Sequence, residues 1–154
     1  MSLAKDKPSL EGPILYENDF TAWASQQADL LRARRLSEID LPNLVEEIES
    51  LGNEQLHALE SFYILVISHL LKWQFQPERR SRSWDLTIYE SRGQIVRREK
   101  RSPSLRARAQ EIVNEIYPDA RGSASKETGL SLATFPESCP YTAAQLRDHG
   151  FLPE

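Results

Sequence analysis

Apolar residues recur at helical spacing over residues 41–75, the longest periodic stretch of the sequence. Its phase continues across Gly52, so the pattern predicts one long helix and not two. Between Phe62 and Leu71 nearly every residue is apolar, which indicates that neighbouring elements enclose this half of the helix. With a turn of about 100° per residue, seven apolar residues fall on one face of this helix and form a stripe: Leu44, Ile48, Leu51, Leu59, Phe62, Val66 and Trp73.

A shorter helical pattern precedes the long one. Asn18 is placed to cap this first helix, and the apolar stripe begins at Phe20 and Trp23. The pattern ends in the arginine-rich turn 32–35, where cations suit the negative end of the helix dipole. Residues 1–13 are polar and contain proline and glycine, which predicts a flexible N-terminal arm.

Further helical patterns follow the long one. Pro77 is a stop signal because the residue before a proline is disfavoured in a helix. Ser81 or Ser83 can then cap a third helix. The pair Ser102-Pro103 marks the start of a fourth helix, and the proline-punctuated tail 130–154 holds one more short helix.

No alternation typical of a β-strand extends beyond three residues, and in the tail Thr142 and Gln145 are spaced as a capping box. We therefore predict an all-α fold, a single-domain helical bundle of about five helices over residues 14–154, around one long central helix. Its predicted core comprises the inward-facing residues Phe20, Trp23, Leu44, Ile48, Leu51, Leu59, Phe62, Val66, Leu70, Trp73, Trp84, Ile88, Ile112 and Ile116.

Composition narrows the class of protein. The chain has 154 residues, of which 40% are hydrophobic and 27% charged, as in ordinary globular domains. Its one cysteine, Cys139, excludes an internal disulfide. The start of the sequence has no apolar segment of signal-peptide length, and no apolar run reaches membrane-spanning length, so a cytoplasmic protein without a membrane partner is expected.

Charge is segregated along the chain. Residues 1–60 hold 5 Lys/Arg against 12 Asp/Glu, whereas residues 72–108 hold 11 Lys/Arg against 4 Asp/Glu. The basic segment 72–108 can pair with the acidic ends of the chain, which is the favoured interpretation, or bind an external anion or partner. The candidates for an external anion or partner are Arg79, Arg80, Arg82, Arg97, Arg98 and Arg101.

His69 is the residue that most suggests chemistry. It lies near the centre of the apolar stripe of the long helix, and Glu47 is the acidic residue best placed to lean inward, so the two are candidate metal ligands. They are 22 residues apart, or roughly 33 Å along a straight helix, which argues against one shared ion. A hydrogen-bonded core histidine is the favoured interpretation.

Signatures of catalysis are absent from the sequence. It contains no Gly-x-Ser-x-Gly and no glycine-rich phosphate loop. Cys139 has His149 ten residues downstream, but nothing in its surroundings marks an activated thiol. We therefore expect no catalytic residues, no cofactor and no enzymatic activity.

Three segments of the sequence resemble a known bacterial family. They are Val45–Gly52, His69–Trp84 and Thr134–Thr142. The chain is similar, from about Tyr16 to its C-terminus, to the domain of unknown function 29 family of cyanobacteria and proteobacteria. The resemblance implies a small all-helical protein, and it implies no activity, substrate or catalytic residue.

These observations favour a non-catalytic interaction or regulatory module, whose partner is another protein or a second copy of the chain. The first alternative is a nucleic-acid-binding regulator that uses residues 72–108. A pI near 5.5 argues against it, because nucleic-acid-binding domains are usually basic. The second alternative is a metal-dependent hydrolase built around His69.

Overall fold

The computed structural model describes residues 12–154, which form six α-helices and, within that range, no β-strand. The predicted arm therefore falls largely outside the described residues, because residues 1–11 are not among them. The all-α class and the single long helix are confirmed. The helices are α1 (Phe20–Arg32), α2 (Leu41–Phe75), α3 (Arg82–Arg101), α4 (Pro103–Ala107), α5 (Ala109–Thr128) and α6 (Ala143–Arg147).

Local capping signals fix several helix ends. Ser81 caps α3 by accepting a hydrogen bond from the backbone N–H of Trp84, and Thr142 and Gln145 form the predicted capping box of α6. The predicted cap of α1 is wrong by one residue. Asp19 and not Asn18 is the cap, since its carboxylate accepts from the backbone N–H of Ala22 at 3.0 Å.

The chain passes through Pro118 without ending α5, although a proline inside a helix removes one backbone hydrogen bond. Tyr117 and Ala120 on either side are buried, so tertiary packing holds the helix in place here. The helix ends before Gly129, whose φ of 73° is in the left-handed region that glycine adopts without strain.

The chain divides into two compact units, one ending at Leu51 and one beginning at Gly52. The N-terminal unit contains α1 and the first part of α2. Its centre is Trp23, whose indole Nε1 donates to the Asp40 carboxylate at 3.0 Å. Gln27, also buried, accepts from the backbone N–H of Asp40 at 2.6 Å.

The C-terminal unit packs the second part of α2 against α3, α5 and α6 around a continuous apolar core. Phe135 and Tyr141 from the tail complete this core. Seven members of the predicted core are buried: Trp23 in the N-terminal unit, and Leu59, Val66, Leu70, Ile88, Ile112 and Ile116 in the C-terminal unit. Leu44, Phe62, Trp73 and Trp84 are partly buried.

The predicted core is wrong at three positions. Phe20 is 51% exposed, Ile48 67% and Leu51 61%. The reason is that the segment before α1 is anchored to a polar side of α2, through the bond of Tyr16 to Glu47, while α1 is bonded through Trp23 to Asp40, the residue before α2. Glu47 and Ile48 lie about 100° apart on the helix, so that anchoring leaves the apolar stripe uncovered. No helix within residues 12–154 combines the length and hydropathy needed to span a membrane.

Candidate functional site

The His69 imidazole is half-buried and fully engaged by its own helix. Its Nδ1 lies 2.8 Å from the carbonyl oxygen of Leu65, to which it donates, and its Nε2 is 3.4 Å from Nζ of Lys72. Burial lowers the pKa of His69, and the positive charge of Lys72 lowers it further. The side chain is therefore a neutral, hydrogen-bonded histidine at neutral pH.

Lys72 is itself buried and forms an ion pair with Glu127 of α5. Its Nζ donates to the Glu127 carboxylate at 2.6 Å and lies 4.9 Å from the centre of the Trp84 ring. The ammonium group is thus held between a carboxylate and an aromatic face. Among residues 12–154 no three His, Cys, Asp or Glu side chains are grouped so that they could hold a metal ion.

The lowered pKa of His69 makes the stability of the fold depend on pH. Below the ordinary histidine pKa of 6.5, the unfolded state binds a proton that the folded state resists. The free energy of unfolding should therefore fall as the pH drops below 6.5 and level off above it. Urea denaturation of the His69→Gln variant should show a flatter dependence in this window. An unchanged slope would contradict this role of the histidine.

Glu47, the other candidate ligand, belongs to the N-terminal unit and is occupied there. The Tyr16 hydroxyl donates to its carboxylate, and this hydrogen bond raises the pKa of Tyr16 to about 12. The Tyr16 ring in turn packs edge-to-face on Trp23 at 4.8 Å. Glu47 thus anchors the segment before α1, and neither it nor His69 has the other as a hydrogen-bond partner.

The basic segment 72–108 is largely without internal ion pairs. Of its 11 Lys/Arg, Lys72 pairs with Glu127 and Arg108 with Glu111, and none of the other nine forms an ion pair within the described chain. The favoured interpretation, that the basic segment pairs with acidic residues of the same chain, therefore holds for just those two residues. The other nine residues include all six candidates for an external anion or partner, and their charges are not neutralised by an ion pair within the described chain.

Those six candidates differ in their surroundings. Arg80 donates from Nε to the carbonyl oxygen of Trp73 at 2.8 Å and stacks over its ring. Arg98 lies over the Phe62 ring, and its Nε is buried without a hydrogen-bond partner in the described chain. The other four are exposed: Arg79, Arg82, Arg97 and Arg101.

A buried network joins three helices of the C-terminal unit. Glu99 of α3 is fully enclosed, and its carboxylate accepts from the Tyr63 hydroxyl of α2. It also accepts from Nε of Arg147 in α6 at 2.7 Å. No sequence pattern marks this network, since its three residues are far apart along the chain and glutamate and arginine usually lie at the surface.

Cys139 is a weak candidate nucleophile. It is half-buried, its thiol points to the carbonyl oxygen of Tyr141 at 3.4 Å, and burial raises its pKa. A thiol with a raised pKa holds its proton at neutral pH and is a poor nucleophile. His149, the nearest histidine in sequence, packs against the Tyr89 ring instead, with the ring centres 4.8 Å apart.

The clearest candidate for a binding surface is the uncovered stripe of α2 in the N-terminal unit. Its exposed residues are Leu41, Val45, Ile48 and Leu51. We call this set the acidic-edged stripe surface. Leu44, half-buried, lies beside them. The spacing of residues 41, 44, 48 and 51 is that of positions a and d of a heptad repeat, which is suited to receive another helix.

The rim of this surface is acidic. Glu46 and Glu49 lie beyond Val45 around the helix, are exposed, and form no ion pair with the described residues. Residues 12–51 hold 8 Asp/Glu against 3 Arg. Two of those arginines, Arg32 and Arg35, pair locally with Asp29 and Glu38. Helical periodicity alone predicted that this stripe belongs to the core, so the surface was not among the predicted sites.

Comparison with known proteins agrees with the resemblance seen in the sequence. The family model described as Domain of unknown function DUF29 matches residues 15–152, nearly the whole chain. No curated protein and no solved structure matches the chain. This match, together with the all-helical fold, shows that the chain belongs to the family of domain of unknown function DUF29.

Proposed function

We propose that this protein is a non-catalytic interaction module, and that its acidic-edged stripe surface receives a basic amphipathic helix of another protein. The observation that carries the proposal is the row of large apolar side chains exposed along more than two turns of α2, at Leu41, Val45, Ile48 and Leu51. An exposed apolar row of this length costs free energy in water unless a partner covers it.

The shape of the surface selects the class of partner. Side chains that repeat at alternating intervals of three and four residues interlock with a second helix that has the same repeat. A helix laid along this row would lie in the negative field of Glu46 and Glu49, the exposed charges on one side of the row. Lysine or arginine on the partner helix would be attracted by that field, whereas glutamate would be repelled.

The same charge pattern disfavours a second copy of the chain as the occupant. Two copies would bring two acidic segments together, each with 8 Asp/Glu against 3 Arg over residues 12–51 and with no lysine or arginine in α2 before Lys72. A foreign basic helix meets no such repulsion. The partner would bind more weakly as the salt concentration rises, because the attraction acts between exposed charges and is screened by salt.

A pair of synthetic helical peptides tests this proposal on the full chain. Both carry leucine at positions a and d, and one has lysine and the other glutamate at positions e and g. Isothermal titration should detect salt-sensitive binding of the lysine peptide and none of the glutamate peptide. The Ile48→Ser, Leu51→Ser double variant should abolish this binding and leave the thermal melt nearly unchanged, since both side chains are exposed.

The Leu132→Ser variant is the matched control, because Leu132 is an exposed leucine of the C-terminal unit and its loss should not alter binding. Equal binding of both peptides, or binding that survives the double variant, would refute the proposal. Sedimentation of the chain alone should show a monomer, and a dimer broken by the double variant would identify a second copy as the occupant.

Nucleic acid is the remaining alternative, and one further arm of the experiment separates it. A gel shift with DNA and RNA would show salt-dependent binding if the unpaired arginines of residues 72–108 contact phosphates. Loss of that binding on charge reversal of Arg97 and Arg98, without loss of peptide binding, would assign it to the basic segment. Nucleic-acid binding in the absence of peptide binding would replace the proposal.

A further inference from the structure

A pocket of about 230 Å³ opens between α3 and the C-terminal residues of the chain. Its walls are both charged and apolar. Arg82, Asp85, Leu86, Tyr89 and Arg92 contribute from α3, and His149 contributes from the segment after α6. All of them belong to the C-terminal unit, so the pocket is separate from the acidic-edged stripe surface.

Arg92 is the unusual feature of this pocket. Its side chain is 1% exposed, and its guanidinium donates from Nε to the carbonyl oxygen of Leu146 at 3.0 Å and from Nη2 to that of Gln145 at 3.2 Å. No carboxylate of the described chain lies within ion-pair distance of it, and Nη1 has no hydrogen-bond partner there. A buried cation satisfied by carbonyl dipoles alone has no carboxylate in direct contact with it.

The electrostatics of Arg92 reflect this position. Burial lowers its pKa, while the negative charges of Asp148 and Asp85 act against that from a greater distance. Arginine stays protonated in proteins even so, and the fixed charge therefore remains in the pocket wall. An anion entering the pocket would meet a guanidinium that is already oriented by two backbone carbonyls, so little entropy would be lost on binding.

The other walls define what such an anion would carry. Arg82 brings a second cation from the first turn of α3, and Asp85 brings one negative charge, which disfavours polyanions. The rings of Tyr89 and His149 lie with their centres 4.8 Å apart and their planes inclined at 44°, and the exposed Tyr89 ring lies beside Leu86 in the pocket wall. Ligand pockets usually exceed roughly 300 Å³, so this one suits a small molecule and not a dinucleotide.

We propose that this pocket binds a small organic anion, a carboxylate or phosphate monoester attached to a flat apolar group. The anionic oxygens would accept from Arg92 and Arg82, and the flat group would lie against Tyr89 and Leu86. The proposal does not depend on the proposed function, because the two surfaces lie in different units and their variants do not overlap.

Titration with two simple probes, benzoate and phenyl phosphate, tests the pocket on the full chain. As at least one probe is added, the amide chemical shifts of the residues that line the pocket should change and then reach a plateau, with a Kd of about 1 mM or below. Phenol, the neutral analogue, should not bind. Saturation by benzoate alone assigns a carboxylate, and saturation by phenyl phosphate alone, with competition by inorganic phosphate, assigns a phosphate group.

Arg92 holds α6 through two carbonyls, so replacing it could unfold the protein, and other variants carry the test. Arg82→Gln should weaken binding about tenfold, by loss of one charge-assisted contact. Leu86→Trp should abolish it by filling the pocket, and both side chains are exposed enough to leave the thermal melt intact. Arg97→Gln, an exposed arginine of the same helix outside the pocket, is the matched control.

No saturable binding of either probe, equal binding of phenol, or equal weakening by Arg82→Gln and Arg97→Gln would overturn the proposal. The last of these results would mean that the anion is attracted by the general charge of α3 and not held in the pocket. Binding that persists in Leu86→Trp would likewise place the anion elsewhere.

Discussion

Replacing Arg147 with methionine should lower the free energy of unfolding by about 3–5 kcal/mol. Arg147 Nε donates to the Glu99 carboxylate at 2.7 Å, and Glu99 is 1% exposed. In the variant this carboxylate would keep one hydrogen bond, from the Tyr63 hydroxyl, and would have no positive partner. Burial and the Glu99 carboxylate both raise the pKa of Tyr63, so the phenol stays protonated and cannot supply the missing charge.

The matched test is a double-mutant cycle measured by urea denaturation. Removing both charges, in the Glu99→Leu, Arg147→Met double variant, leaves no buried carboxylate unpaired and should recover most of the lost stability. The cycle would then give a coupling energy of several kcal/mol between the two residues. An Arg147→Met variant within about 1 kcal/mol of the parent would mean that water reaches Glu99 and that the network contributes little.

The sequence could not have revealed this network. Glu99 and Arg147 are 48 residues apart along the chain. Both are charged, and charged residues of a helix usually face the solvent. Their partnership depends on where α6 docks against α3, which is decided by tertiary packing. For the same reason Arg92, one of 11 basic residues in its segment, could not be distinguished from its exposed neighbours before the fold was known.

Features set by neighbouring residues were predictable. The cap of α3 at Ser81, the capping box at Thr142 and the end of α2 before Pro77 all follow from hydrogen bonds or clashes within four residues. The same holds for the length of α2, since its periodic stripe is long and unbroken. Local chemistry therefore predicted where the helices begin and end. It did not predict which elements pack against them.

The stripe of α2 illustrates the difference. Periodicity identifies residues that share a face, and it assigns that face to the core only if a neighbouring element covers it. From Leu59 onward the helix is covered, and the members of the stripe are buried or partly buried. Before Gly52, α1 and the segment before it are anchored through the polar residues Asp40 and Glu47, and most of the same stripe is exposed.

Two truncations in the same helix should measure this difference directly. Leu70 is 0% exposed, so Leu70→Ala removes buried methyl groups, leaves a cavity and should cost about 2–5 kcal/mol. Ile48→Ala removes a side chain that is already in water, and alanine is the better helix former, so its free energy of unfolding should change by about 0.5 kcal/mol or less. Urea denaturation of both variants gives the comparison.

The loss of stability in Ile48→Ala is informative in either direction. A small loss would mean that the exposed row contributes nothing to folding, so that its apolar character calls for a binding partner as the explanation. A loss as large as that of Leu70→Ala would mean that the row is buried in solution. Repeating the Ile48→Ala measurement over a range of protein concentrations would then decide how, because burial by a second copy makes the loss concentration-dependent whereas burial within one chain does not.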